Sequence, residues 1–257
     1  MLDEIVSQVR NRVTKRMELI GYRELEQIVS KQRPARSMVQ ALSGKHISLI
    51  AEVKRRSPSA GILADGKNLV EIAQIYQSNG ASAISVLTEE DNFAGSLQDL
   101  EAISSQSQIP VLRKDFILNE YMVLEARAYG ADSVLLIVSI LDDYLLKRLY
   151  KLSCDMGMEP LVEVYTDIDV ARALELNPRI IGVNNRNLGN LALNLGHSLE
   201  LASILPKDTI LVAESGIKSK SDVLKALDAG YNAVLVGAAL LRAHDIAAKV
   251  KELALLN

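Results

Sequence analysis

Residues 110–138 read PVLRKDFILNEYMVLEARAYGADSVLLIV. A short apolar run at 110–117 gives way to a stretch over 119–129 with apolar residues at three-and-four spacing. A Gly-containing turn follows, and then a second β-branched run at 133–138. That is strand, helix, strand, and two strands joined by a helical crossover lie parallel. The same unit recurs on both sides: strands are predicted at 47–54 and 83–88 upstream, and at 159–164, 180–185, 210–215 and 233–237 downstream. Helical spacing fills 68–79, 141–156 and 219–229. Eight parallel strands are the number that closes an α/β chain into a single (β/α)8 TIM barrel, and the chain from residue 47 onward allows roughly 26 residues per unit, in line with that fold. The rival, a doubly wound open sheet, lacks its Gly-x-Gly-x-x-Gly fingerprint after the first strand.

Residues 1–46 precede the barrel at 47–257. Ile5, Val9 and Val13 recur every four residues and predict one long helix. Arg33-Pro34-Ala35 then breaks the chain toward a second, short one, giving an N-terminal helical extension. Of the 257 residues, 49% are hydrophobic but only 4% aromatic, with no Trp, so the core must be filled by aliphatic side chains. A net charge of −3 gives no electrostatic case for nucleic acid. No apolar run approaches the ~18 residues that span a bilayer, and no signal peptide is visible. The single cysteine, Cys154, suits a reducing compartment and falls mid-helix, where it reads as a small core residue. A cytoplasmic protein is expected.

In such barrels the chemistry lies at the C-terminal ends of the strands. The period of two places Glu52 and Lys54 on one face of the first strand, Glu163 on the inner face of the fifth, and Glu214 beside Val212 on the seventh. On the sixth strand Gly182 and Asn184 share a face, with Arg186 just beyond. In the third strand parity alone does not say whether Lys114 or its neighbours Arg113 and Asp115 point inward. Charges converging from several strands must pair or do chemistry, because a lone buried charge costs several kcal/mol. A self-satisfied ion-pair network is the bland alternative, yet such a network has no reason to prefer one end of the barrel. Two loops suit an anion: Ser215-Gly216 after strand seven and Gly237-Ala238 after strand eight, where small residues free backbone N–H groups. Ser57-Pro58-Ser59-Ala60-Gly61 adds hydroxyls and backbone donors to the same rim. The acidic run Glu89-Glu90-Asp91 reads as a solvated loop, with shaping the mouth as the alternative, and the pair Arg55-Arg56 reads as solvated, with attraction of the anionic substrate as the alternative. The histidines at 46, 197 and 244 are scattered and form no metal-ligand pattern.

The run Ile50-Ala51-Glu52-Val53-Lys54-Arg55-Arg56-Ser57-Pro58-Ser59-Ala60-Gly61 closely resembles the signature of the indole-3-glycerol phosphate synthase family. Thr88, Phe93 and Gly95-Ser96, then residues 112–117, 159–164, 182–188 and 212–217, resemble further motifs of that family in order. The resemblance implies a ring-closing decarboxylation of 1-(2-carboxyphenylamino)-1-deoxyribulose 5-phosphate to indole-3-glycerol phosphate, in tryptophan biosynthesis, with no metal and no organic cofactor. By analogy, Lys114 acts as general acid on the ketone oxygen and Glu163 accepts a proton during dehydration. Lys54 binds the substrate carboxylate or shares the acid role. Asn184 and Glu214 contact the anthranilate and sugar portions, and Arg186 positions them. Ser215, Gly216, Gly237 and Ala238 hold the phosphate, and the N-terminal extension covers the barrel mouth. Two ammonium groups at one mouth are expected to depress each other's proton affinity, with Glu52 orienting one of them. Asn92, Met38 and Tyr165 depart from the family pattern, and none removes a charged group. Ala238 leaves phosphate contacts there to backbone N–H.

The expected partner is a small anionic substrate, with no nucleic acid and no membrane. A monomer is expected, with at most weak association with enzymes of the same pathway. Two alternatives stand beside this reading. One is phosphoribosylanthranilate isomerase, a same-fold enzyme that needs a cysteine base, a role for which Cys154 lies far from any strand end. The other is a non-catalytic sugar-phosphate-binding barrel, which would be free to lose Lys114 or Glu163.

Overall fold

The computed structural model describes residues 2–44, 46–64 and 66–256. Met1, Lys45, Asp65 and Asn257, which fall within the expected bounds 1–46 and 47–257, lie outside the described residues. Eight strands form a closed parallel barrel: β1 (Ser48–Val53), β2 (Ala83–Leu87), β3 (Val111–Lys114), β4 (Ser133–Ile137), β5 (Leu161–Val164), β6 (Ile180–Asn184), β7 (Ile210–Glu214) and β8 (Ala233–Val236). Each strand pairs with its sequence neighbours, and the ring closes where β1 pairs with β8, Ser48 opposite Ala233. This is the (β/α)8 barrel read from the strand spacing. Among the described residues no helix is long and apolar enough to cross a membrane.

Return helices begin where short polar side chains cap them. Asn68 caps α4 (Leu69–Ser78), Ser96 caps α5 (Leu97–Gln106), Asn119 caps α6 (Glu120–Ala128) and Asp142 caps α7 (Asp143–Asp155). Reciprocal capping boxes, Thr166 with Asp169 and Ser219 with Asp222, start α8 (Asp167–Leu174) and α10 (Lys220–Asp228). The chain is completed by α9 (Gly196–Leu201), α11 (Ala238–Leu241) and α12 (Ile246–Leu253). A two-stranded hairpin, Arg56–Ser57 against Gly61–Ile62, follows β1.

The N-terminal segment forms α1 (Leu2–Leu19), α2 (Tyr22–Val29) and α3 (Met38–Leu42). Ile5, Val9 and Val13 are the buried stripe of α1, as their spacing requires. Two helices, not one, precede the Pro34 break, because Gly21 takes an extended conformation and caps a new helix. Helix α2 lies on α6, which is why Tyr121 through Ala128 are all buried. The Tyr121 hydroxyl donates to the carbonyls of Arg16 and Ile20 at 3.1 and 2.9 Å. Below, at the strand starts, the fully buried Asp132 accepts from Val111 N, Arg36 N and the guanidiniums of Arg33 and Arg36. Glu159 accepts from Ser37 Oγ and Val39 N at the start of α3.

Four further sequence expectations change. β3 ends at Lys114, short of residue 117, because Asp115 turns the chain by accepting the N–H of Phe116. Cys154 is exposed: the buried stripe of α7 is Leu146, Leu149 and Ser153, and one residue further rotates about 100° out of it. The acidic run is not a free loop. Glu89 is buried and accepts from the backbone of Asp91, Asn92 and Phe93, while Glu90 and Asp91 pair with Arg12 of α1. Arg55 pairs with Asp99, and Arg56 donates to the carbonyl of Asp91, so neither is merely solvated.

Candidate active site

A cavity of about 580 Å³ opens at the C-terminal ends of the strands. Strand alternation brings Glu52, Lys54, Lys114, Glu163, Asn184 and Glu214 to its floor, and Ser57, Arg186, Ser215, Gly216, Gly237 and Ala238 also line it, whereas Gly61 of the loop after β1 does not. The third-strand ambiguity is resolved by charge. Lys114 points inward, whereas Arg113, with essentially no exposure, turns outward to Glu125 of α6 at 2.9 Å and to Asp115 at 3.0 Å. Glu125 also takes Arg16 of α1 at 2.7 Å. The outer face of the strand that carries Lys114 is thereby tied to the N-terminal helix, which itself places Leu2 and Ile5 on the cavity wall.

On the floor, Lys114 Nζ lies between two carboxylates, 3.1 Å from Glu163 Oε2, to which it donates, and 3.2 Å from Glu214 Oε2. Asn184 Nδ2 donates to the other oxygen of Glu163 at 3.1 Å, while its own Oδ1 accepts the N–H of Arg186 at 2.9 Å. Glu163 is thus gripped on both oxygens. Lys54 forms a separate pair with Glu52. Both Glu214 oxygens are buried without a hydrogen-bond donor, so its contact with Lys114 is one of charge rather than of aligned N–H.

The electrostatics reverse one expectation. Lys114 is not pushed toward the neutral amine. Burial alone pulls Lys114 toward the neutral amine, but Glu163, Glu214 and Glu52 outweigh it and hold the ammonium above the ordinary lysine range. Each lysine has a carboxylate of its own, and sequence parity could not weigh carboxylates against like charge. Glu214 moves the other way: burial drives its carboxyl up, Lys114 pulls it back and Glu163 pushes it up again, leaving it at about 8.

The rim differs in character. Ser215 adopts a left-handed backbone, φ +66°, costly for a residue with a side chain, and Gly216 follows at φ +86°. Asn185 holds this turn by donating Nδ2 to the Ser215 carbonyl at 3.1 Å. At Gly216 an added Cβ would sit 2.3 Å from Leu195 Cδ2, the end of an exposed side chain that can turn aside, so it is the positive φ that favours glycine here. Helix α11 starts at Ala238 with no side-chain cap, leaving its first N–H groups available at the wall. Ser57 Oγ is engaged locally, accepting the N–H of Ala60.

Three cations on this wall were not read from sequence: Lys218, Arg242 and Lys249. Lys218 follows the Ser215-Gly216 loop closely enough to have been suspected. Arg242 follows the last residue of α11 and Lys249 lies on α12, beyond the strand ends where parity carries information. Arg242 also donates to the carbonyl of Ala60, bridging the last unit to the loop after β1. Apolar side chains, among them Phe93, Phe116 and Leu188, line the rest of the cavity. The site therefore offers a charged floor, a cationic end and an apolar slot. That suits a molecule with a phosphate, a carboxylate and a flat ring. Among the described residues no group of three or more His, Cys, Asp or Glu side chains is placed to hold a metal ion.

The sequence matches a family model described as indole-3-glycerol phosphate synthase over residues 2–253. It is similar to the indole-3-glycerol phosphate synthase of Dehalococcoides mccartyi strain CBDB1, 44% identical over 257 residues, covering 98% of this chain and 99% of that one. It is likewise similar to indole-3-glycerol phosphate synthase 1 of Streptomyces coelicolor, 42% identical over 253 residues, covering 98% of this chain and 94% of that one. Among solved structures it resembles a 3-hexulose-6-phosphate synthase, with a TM-score of 0.64 at 17% identity over 82% of this chain and 99% of that one. A thiamine phosphate pyrophosphorylase from Pyrococcus furiosus gives 0.62 at 16% identity, over 86% and 97%. Likeness at that identity concerns the fold alone.

Proposed function

The chain belongs to the indole-3-glycerol phosphate synthase family, and from that membership we propose how its barrel mouth divides the labour of the ring closure. The substrate phosphate lies at the cationic end, held by backbone N–H groups of Ser215, Gly216, Gly237 and Ala238, with Lys218, Arg242 and Lys249 nearby. The anthranilate ring lies in the apolar slot, and Arg186 and Asn184 position it. Lys54, oriented by Glu52, receives the substrate carboxylate. Ser57, in the loop after β1, lines the same cavity and adds to the substrate's surroundings there.

Lys114 gives its proton to the ketone oxygen as the ring carbon that bears the carboxylate attacks the carbonyl carbon. Carbon dioxide then leaves from that ring carbon and its electron pair restores aromaticity. With the carboxylate gone, Lys54 gives a proton to the new hydroxyl, which departs as water, while Glu163 takes the proton that the adjacent ring carbon releases as the pyrrole double bond forms. The observation that carries this assignment is Lys114 standing between Glu163 and Glu214 at the floor of the cavity. Its ammonium stays charged across the neutral range, the form an acid needs.

The 1–46 extension contributes to covering the mouth through Leu2 and Ile5 of α1. The same reading makes the protein a cytoplasmic monomer acting on a small anionic substrate, which light scattering on the purified chain tests for mass. For the chemistry, Lys114→Ala should lower kcat about 10²- to 10⁴-fold while calorimetric binding of the product persists through its phosphate. Full turnover in that variant would sink the acid assignment.

A further inference from the structure

Gly182 lies inside β6, two residues before Asn184 and on the same inward face. Glycine weakens a strand interior, since it adds backbone freedom and packs nothing, so its presence there asks for a reason of close approach. The backbone supplies none: Gly182 is not among the positive-φ residues. The reason is a neighbour. A Cβ at Gly182 would lie 2.1 Å from Glu214 Oε1 and 3.2 Å from Leu161 Cδ1. Glu214 reaches this space from the adjacent strand, where Gly182 is paired with Val212, and the position vacated at Gly182 is filled by its carboxylate. The next two strands around the ring, β8 and β1, repeat the arrangement, because a Cβ at Gly237 would lie 2.4 Å from Glu52 Oε1.

We propose that Gly182 is a positioning residue for the ring closure: its missing side chain is the socket that seats the Glu214 carboxylate against Lys114. The inference rests on the reading that Glu214 serves the reaction. The glycine touches no substrate and acts only through Glu214. Nothing else holds that carboxylate in place, since neither oxygen has a hydrogen-bond donor. Its seat is defined by shape and by the single charge of Lys114, so a methyl group in the socket must push it aside.

Three variants test this: Gly182→Ala, Glu214→Ala and the double variant, each with kcat and KM measured by the appearance of indole fluorescence, and with thermal melts. Gly182→Ala should lower kcat by roughly 10- to 100-fold, the scale for displacing a reacting constellation by about 1 Å. KM should change little, because the phosphate end is untouched. In the Glu214→Ala background the added methyl should change kcat less than about twofold, since the group it displaces is gone. A double variant that loses as much again as Gly182→Ala loses alone would overturn the proposal and leave the role of Glu214 standing. Full activity in Glu214→Ala would overturn that role and the socket with it. Should Gly182→Ala fail to fold, recovery of the fold in the double variant supports the socket, and continued failure places the clash at Leu161 and overturns it.

Discussion

At the scale of single residues, burial and charge compete within a few ångströms, and Glu214 shows which wins. Its carboxyl is buried without donors and titrates at about 8 in the folded chain, far above the ordinary value near 4.3 expected when unfolded. A group whose folded pKa is raised lends its full stabilisation below the unfolded pKa and loses it as pH rises through the folded one. Wild-type protein should therefore lose stability relative to Glu214→Gln between about pH 5 and pH 8, where the variant carries no titrating carboxyl. Urea midpoints at the two pH values decide it, and parallel profiles for the two proteins would falsify the raised pKa. Sequence parity located Glu52, Lys54, Glu163, Asn184 and Glu214 because a strand's period is fixed by the backbone. It was silent at Arg113-Lys114-Asp115, where three charges alternate and orientation depends on Glu125, a partner supplied by the next helix. It was also misleading about lysine acidity, since the sign of that shift depends on which carboxylates stand nearest.

At the scale of elements, the strands and the helices read from spacing are in place within one to three residues, because caps such as Asn119 and Ser219 sit beside the apolar pattern they start. The N-terminal segment was less legible. Its docking depends on single long-range ion pairs that leave no periodic trace: Arg16 to Glu125, and Arg33 and Arg36 to Asp132. Asp132 is the strongest of these, a carboxylate with no exposure that serves two backbone N–H groups and two guanidiniums. Removing one partner of a buried pair leaves the other charges uncompensated, at a cost of about 3–5 kcal/mol. Asp132→Ala should lower unfolding stability by that amount in urea, with kcat nearly unchanged in the protein that remains folded, because Asp132 sits at the strand starts, away from the cavity. A loss under 1 kcal/mol would show that the arginines find other partners and that α2 and α3 dock by apolar contact alone.

At the scale of the whole molecule, the barrel is polarised: paired charges at the strand starts fasten the extension, and charges at the strand ends face the cavity. The eightfold repeat made the closed ring legible, but how the extension wraps it from α1 at the mouth to α3 at the strand starts was not. That wrapping predicts how the chain melts. Strands β3 and β4 are clamped to α1, α2 and α3 through Glu125 and Asp132, so the extension and the barrel should unfold as one cooperative unit. A ligand that binds only the folded state at about 100 times its Kd adds roughly 2.7 kcal/mol, which for a chain of this length is a shift of about 5–10 °C. Indole-3-glycerol phosphate should move a single transition by that amount, read by circular dichroism because the product's indole would swamp the eight tyrosines and the chain has no Trp. Lys114→Ala should show a comparable shift, since the phosphate end carries the binding. Two transitions, of which the ligand moves only the later, would mean that the N-terminal helices melt off a barrel that stands without them, and that the clamps at Glu125 and Asp132 are too weak to join the two.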